Sequence, residues 1–172
     1  VEVFGGIPVK RVGIFVDIND MYQSVRQEHG GKLDYRAYYE FISVLGEIKV
    51  ALAYGSAFGD ESEKFVGALH SIGFKARYRR ALKFLVDRPD SDEPKVFRVY
   101  PNWDCGLTVD VIKALPDLDM VVLGVSSDNL VPLVKYIQEQ GKDAVICANS
   151  VSKKLAKAAT EVIGVTASLL VG

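Results

Sequence analysis

Short apolar runs alternate along this chain with longer stretches whose apolar positions recur every three or four residues. The first run, VGIFV at 12–16, has no polar face, the pattern of a central parallel strand buried on both sides. Helix periodicity follows over 20–28, where Met21, Tyr22 and Val25 share a face and HGG ends it. Asp34 stands as the N-cap of a second helix over 35–45, with Gly46 as its stop. A strand over 48–57 comes next, then a helix over 60–72 that opens on acids, as the helix dipole favours. GFKARYRRAL then alternates, with Phe74, Ala76 and Tyr78 facing one way and Lys75, Arg77 and Arg79 the other. The polar segment DRPDSDEP at 87–94 separates LKFLV from KVFRVY, predicting a hairpin-like excursion over 81–100. Asp104 or Thr108 opens a helix through Leu115, closed by Pro116. MVVLGV at 120–125 is a strand, 129–140 a helix with Pro132 in its first turn and Gly141 at its end, and 143–148 a strand. Ser150 or Ser152 caps a last helix to Glu161, and VIGV reads as a final short strand.

Strands alternating with helices predict an α/β fold with a mostly parallel sheet and helices on both faces. Such sheets collect ligands at the carboxyl ends of their strands, near the point where strand order reverses. Asp17 sits just past the first apolar run, where that rule places functional groups. The 172 residues are 49% hydrophobic and 25% charged, enough for one core, so 1–172 is expected to be a single domain with 1–10 as a lead-in. A net charge of −1 leaves electrostatic partners to local clusters. Cys105 and Cys147 have neither disulfide-framework nor zinc spacing and are expected as reduced thiols near the core. No apolar stretch reaches membrane-span length and no signal peptide opens the chain, so no membrane partner and a cytoplasmic location are expected.

Other acids fall at comparable points. NWDCGLTVD offers Asp104 at a helix start and Asp110 within it; GVSSDN offers Asp128 and Asn129 just after a strand; ANSVS offers Asn149, Ser150 and Ser152. Singly, each of Asp17, Asp20, Asp104 and Asp128 is equally well a helix cap, and Asp110 a surface acid. Together, carboxylates converging on one strand-end cleft would repel each other and raise each other's pKa values. A hard divalent cation relieves this, since Mg²⁺ binds through one or two carboxylates, waters and substrate phosphate, and then activates water against a phosphodiester.

In this setting GIFVDINDMY resembles the opening motif of the NYN domain family, a branch of the PIN-like nuclease fold. NWDCGLTVDVIKAL is similar to its second motif, and VVLGVSSDNLVPLVKYIQEQGKDAVIC to its third; the SVSKKLAKAATEVIGV tail resembles its closing segment. The resemblance runs from about 11 to 165. It implies a Rossmann-like three-layer α/β/α sandwich, PIN-like, with an acidic Mg²⁺- or Mn²⁺-binding pocket and ribonuclease-type hydrolysis. It carries the metal role onto Asp17 and Asp104, with Asp110 as a neighbouring acid. Two positions depart from the family pattern. Asp20 stands where the family has Asn, with Asn19 one place earlier. In the third motif, alignment on VPLV turns the two usual acids into Ser127 and Asn129, whereas alignment on SSD keeps Asp128 and leaves one residue too few before Pro132. The residues themselves favour Asp128 as the third catalytic and metal-binding acid, with Asn19, Asp20, Ser126, Ser127 and Asn129 as supporting polar groups.

A phosphodiester substrate needs cations near these acids. Arg77, Arg79 and Arg80 supply one cluster with Lys75 and Lys83; Lys153 and Lys154 supply another with Lys157, at a helix start that also favours phosphate. Tyr22 and Trp103 are aromatic candidates for stacking on unpaired bases, with core packing the equal alternative for Trp103. The expected partner is RNA, single-stranded; a homodimer is left open. A haloacid-type phosphatase would need an acid where Asn19 stands, and a receiver domain a Lys after the last core strand, where Ala148 and Asn149 stand. No Ser-His-Asp arrangement and no glycine-rich phosphate loop appears. The expectation is therefore a metal-dependent ribonuclease. The rival is a catalytically weak or inactive RNA-binding or regulatory module of the same fold.

Overall fold

A computed structural model of the chain describes residues 3–4, 6–57, 60–88 and 91–172. Six parallel strands form its sheet: β3 (Arg11–Asp17), β4 (Glu47–Ala57), β5 (Lys75–Arg80), β8 (Met120–Gly124), β9 (Asp143–Cys147) and β10 (Glu161–Ile163). Their order is β10-β9-β8-β3-β4-β5. The chain therefore runs outward from β3 to β5, returns, and runs outward again from β8 to β10. The reversal point lies between β3 and β8, whose registers pair Val12 with Met120 and Val16 with Gly124. Two short strands, β1 (Val3–Phe4) and β2 (Ile7–Pro8), precede the sheet as an antiparallel pair.

Val12, Ile14, Phe15 and Val16 have no exposed surface, so the centre of β3 is covered on both faces, as its unbroken apolar run predicts. The covering helices are α1 (Ile18–His29), α2 (Tyr35–Ser43), α3 (Asp60–Ile72), α4 (Asp104–Ala114), α5 (Val131–Glu139) and α6 (Lys153–Ala158). Right-handed crossovers send the helices of the two outward runs to opposite faces, giving three layers. Accordingly α2 meets α3 on one side, while α5 meets α6 and β9 on the other. The α2 helix also ties across the sheet, Tyr38 donating from its hydroxyl to the Cys147 carbonyl at 2.9 Å. Cys147 is buried, but Cys105 is exposed, because it follows the first residue of α4 on that helix's outer side.

Local signals set several boundaries. Asp34 caps α2 through the N–H groups of Arg36 and Ala37, and Ser152 rather than Ser150 caps α6 through Leu155. The last helix stops at Ala158 and not near Glu161, because residues 161–163 are drawn into the sheet as β10. Gly46 is not the helix stop expected for it, since α2 ends at Ser43. Its lack of a side chain serves another need: a Cβ there would run into the Lys10 carbonyl, which accepts from Glu47 N–H at 2.9 Å.

Between β5 and α4, β6 (Leu82–Arg88) pairs antiparallel with β7 (Ser91–Val99), Phe84 opposite Phe97, as a ribbon separate from the main sheet. Its connecting residues Pro89 and Asp90, like Val1, Glu2 and Gly5 of the lead-in, lie outside the described residues. Among the described residues no helix is long and apolar enough to cross a membrane.

Candidate active site at the carboxyl end of β3

Asp17 ends β3 in extended conformation and caps α1, accepting from the N–H groups of Asn19 (2.9 Å) and Asp20 (3.1 Å). One residue thus ends a core strand and starts a helix, which fixes its carboxylate at the reversal point of the sheet. Burial pushes the Asp17 carboxyl up to about 6, against the cap hydrogen bonds that hold it down; the negative charges of Asp20 and then Asp104 add to the rise. Among the described ion pairs none involves Asp17, Asp20 or Asp104.

Asp20 reaches across to the loop after β8. Its carboxylate accepts from the Ser126 N–H at 2.6 Å and from the Ser126 hydroxyl through a very short contact. These bonds join α1 to the strand-end loop that carries the third motif. Where the resembling family has Asn, this chain therefore uses a carboxylate as a double acceptor. Asn19, beside it, faces elsewhere: its amide donates to the Ser56 hydroxyl at 2.8 Å.

Asp104 is the first residue of α4, positioned by an Asn-x-Asp turn. The Asn102 side chain accepts from the Asp104 N–H at 2.9 Å and donates to its carboxylate at 3.1 Å. Asn129 donates to the same carboxylate oxygen at 2.9 Å. Asn129, expected as a supporting polar group where the family has an acid, thus positions Asp104. Asn102 stands two residues before Asp104 in NWDCGLTVD, and an Asn at that spacing before a helix was the signal that could have found it.

Two expected acids are occupied elsewhere. Six residues at about 100° each turn Asp110 well round α4 from Asp104. There it accepts from the Tyr54 hydroxyl (2.9 Å) and pairs with Arg77 (2.7 Å). Asp128 opens a single 3-10 turn (Asp128–Leu130), is exposed, and lies 3.7 Å from the Lys154 ammonium, while Ser127 caps that turn through Asn129 N–H. Among the described residues no three His, Cys, Asp or Glu side chains form a group able to hold a metal. The expected trio of Asp17, Asp104 and Asp128 is therefore not drawn into one cluster; the short turn aims Asp128 at α6 and Asn129 at Asp104.

The cations divide similarly. Arg77 is engaged by Asp110, and Lys154 faces Asp128. Arg79 lies over the Trp103 ring, 4.1 Å from its centroid. Trp103 itself is buried, donates to the Gly55 carbonyl at 3.1 Å and packs on Tyr54, so core packing decides its role. Arg80 and Lys153 are exposed. Tyr22 is exposed and receives a hydrogen bond from Arg26 at 2.7 Å.

The carboxylates of Asp17 and Asp104, both short and both anchored by amides, are a donor set suited to a hard divalent cation that completes its shell with water. The negative charge concentrated at a partly buried carboxyl is what such an ion would relieve.

Comparison with known proteins bears on the same region. Residues 11–166 match the NYN domain family. A crystal structure of a protein of unknown function, VPA0982, from Vibrio parahaemolyticus RIMD 2210633 superposes with a TM-score of 0.78 at 23% identity, covering 95% of this chain and 97% of that one. The crystal structure of Sa239 gives a TM-score of 0.50 at 9% identity, over 91% of this chain and 61% of that one. At these identities the two structures speak to the fold alone. No curated protein matches the chain.

Proposed function

This chain belongs to the NYN domain family, and on that premise we propose that it is a metal-dependent ribonuclease acting on single-stranded RNA at the carboxyl end of β3. The family is generally nuclease-like and associated with RNA. The observation that carries the reading is the place of the Asp17 carboxylate, at the end of β3 where the strand order reverses, with Asp20 and Asp104 close enough for their charges to act on it. Capping α1 accounts for one acid at this strand end; the like charges of Asp20 and Asp104 beside it are what a cationic ligand would offset.

Asp17 and Asp104 would hold Mg²⁺ or Mn²⁺. Such an ion activates water and stabilises charge on a phosphodiester under attack. The other residues set geometry. Asn102 and Asn129 hold the Asp104 carboxylate from two sides, and Asp20 holds the Ser126 loop against α1. Asp17 keeps its orientation through the two α1 amides. Exposed Arg80 and Lys153 are the cations available to RNA phosphates, with Arg79, Arg77 and Lys154 contributing where RNA displaces their present partners. Hydrolysis adds water across one P–O bond and leaves a phosphate monoester and a hydroxyl.

The second reading, an RNA-binding module with weak or no catalysis, is favoured by one observation: Asp128 faces Lys154, so the third motif adds no acid to the pair. Incubating the purified protein with mixed RNAs in Mn²⁺ or chelator, beside Asp17→Asn and Asp104→Asn, separates the two. Cleavage lost with chelator and with each substitution is the expected result. Cleavage that survives them overturns the mechanism, and metal-independent RNA binding without cleavage establishes the second reading.

A further inference from the structure

A cavity of about 550 Å³ opens beside α1, within the roughly 300–1,000 Å³ usual for small-molecule sites. Beside aliphatic Ile18, Leu33 and Val171, its walls carry aromatic rings from four separate elements: Tyr22 of α1, Tyr35 of α2, Phe65 of α3 and Tyr78 of β5. Asn19 and Ser56 supply the polar groups between them. Tyr35 and Phe65 meet edge to face, with ring centroids 5.7 Å apart, which fixes two of the rings.

The polar groups are only partly used. Asn19 donates from its amide to the Ser56 hydroxyl, which leaves the Asn19 carbonyl oxygen and the Ser56 hydroxyl hydrogen without a described partner. The Tyr78 hydroxyl is buried with no hydrogen-bond partner among the described residues, a condition native folds rarely tolerate. Gly55 permits this placement, since a Cβ there would stand 2.9 Å from the Tyr78 ring. Flat aromatic walls with a few unspent donors and acceptors suit a planar heteroaromatic ring with polar edges.

Asn19 also links this cavity to the acids. Its side chain lines the cavity, and its backbone N–H donates to the Asp17 carboxylate at 2.9 Å. Lys32 is exposed on the same lining and supplies a cation for a neighbouring phosphate. We infer that this cavity is a nucleobase subsite, seating one unstacked base of single-stranded RNA so that the adjoining phosphodiester lies at Asp17 and Asp104. The inference rests on the ribonuclease reading for its substrate, but base binding here needs no metal and no cleavage.

The test titrates nucleoside 5′-monophosphates, and ribose 5-phosphate as control, into the isotope-labelled chain in chelator, followed by NMR. Saturable binding of a nucleotide, with shifts centred on Asn19, Tyr22, Tyr35, Ser56 and Tyr78 and none from ribose 5-phosphate, is expected. Tyr22→Ala should weaken it about tenfold, and Tyr22→Phe, which keeps the ring, should not; Tyr22 is exposed, so both variants should fold. Shifts centred elsewhere, equal binding of ribose 5-phosphate, or unchanged affinity in Tyr22→Ala would each overturn the subsite. If that happens while Mn²⁺-dependent cleavage persists, only the subsite fails. If nucleotides bind here and no metal-dependent cleavage exists, the subsite stands and the ribonuclease reading falls.

Discussion

At the amino end of β3, Arg11 grips Asp119 three times: from its backbone N–H at 2.8 Å, its Nε at 3.0 Å and its Nη2 at 2.9 Å. Nearby Lys10 pairs with Asp143 at 2.6 Å, and Lys142 donates to the Leu118 carbonyl. At the carboxyl end of the same strand, Asp17 meets two more carboxylates and no described cation. The Arg11 guanidinium holds Asp119 well below the usual carboxylate range, while burial holds Asp17 well above it. Both ends carry aspartates on a parallel sheet, so residue type does not separate them. What separates them is whether folding supplies the opposite charge. At the amino end Asp119 and Asp143 each meet a cation; at the carboxyl end none of Asp17, Asp20 and Asp104 does among the described ion pairs.

The sharpest way to break this contrast is to neutralise Asp17. Asp17→Asn should lower Mn²⁺-dependent RNA cleavage at least ~100-fold, with Asp104→Asn close behind, because each removes one of two candidate ligands. Asp110→Asn should retain most of the activity, since Asp110 is spent on Tyr54 and Arg77. A cleavage assay in which Asp110→Asn is as defective as Asp104→Asn would reverse the assignment of roles.

The next effect is on stability, and its sign is opposite to that of an ordinary ion pair. An acid whose pKa rises from 3.8 to about 6 on folding contributes stability below pH 4 that is lost as pH climbs through 6. At about 1.4 kcal/mol per unit, the ionised side chain costs up to about 3 kcal/mol at pH 7. Asn caps a helix as well as Asp, so Asp17→Asn should be the more stable protein at pH 7 in chelator. The gap should shrink toward pH 4 and should close when Mn²⁺ is added to the wild type. Thermal melts across pH with and without metal measure this; a variant less stable than wild type at pH 7 would contradict it.

Asp20→Ala should cost about 2 kcal/mol, because it strands the Ser126 N–H at a partly buried position. Urea unfolding measures that, and a loss under ~0.5 kcal/mol would mean that the Asp20–Ser126 link does not hold the loop. The smallest change belongs to the amino end. Asp119→Asn should lower the melting temperature by no more than about 3 °C at pH 7, because the pair is well exposed to solvent. Its contribution has the ordinary sign: present above the usual carboxylate pKa and lost as pH falls through the depressed value. Responses of opposite sign, larger for Asp17→Asn than for Asp119→Asn, are the signature of the two ends.

The alternation of strands and helices, the buried centre of β3 and the placing of Asp17 at its end were legible in the chain. Each depends on the period of apolar residues or on a cap next to them, which are local properties. The cap at Asp34 was legible for the same reason, whereas the structure chose Ser152 over Ser150, between which the sequence left the last cap open. The positions of Asp110 and Asp128 were not. Both sit near Asp104 or Asn129 in a motif, but a helix turn carries one to Tyr54 and a 3-10 turn carries the other to Lys154. Spacing in a motif states order along the chain; it does not state the direction of a side chain.

The sequence by itself therefore determined the α/β plan, the parallel sheet and the strand-end acid, because hydrophobic period and capping act over a few residues. Tertiary structure alone decided which acids share a field, that Asn129 and Asn102 hold Asp104, and that Tyr22, Tyr35, Phe65 and Tyr78 enclose one cavity. Those outcomes depend on strand order and crossover, which bring together residues dozens of positions apart. Electrostatic and packing energies depend on distance in space, which a linear order does not contain.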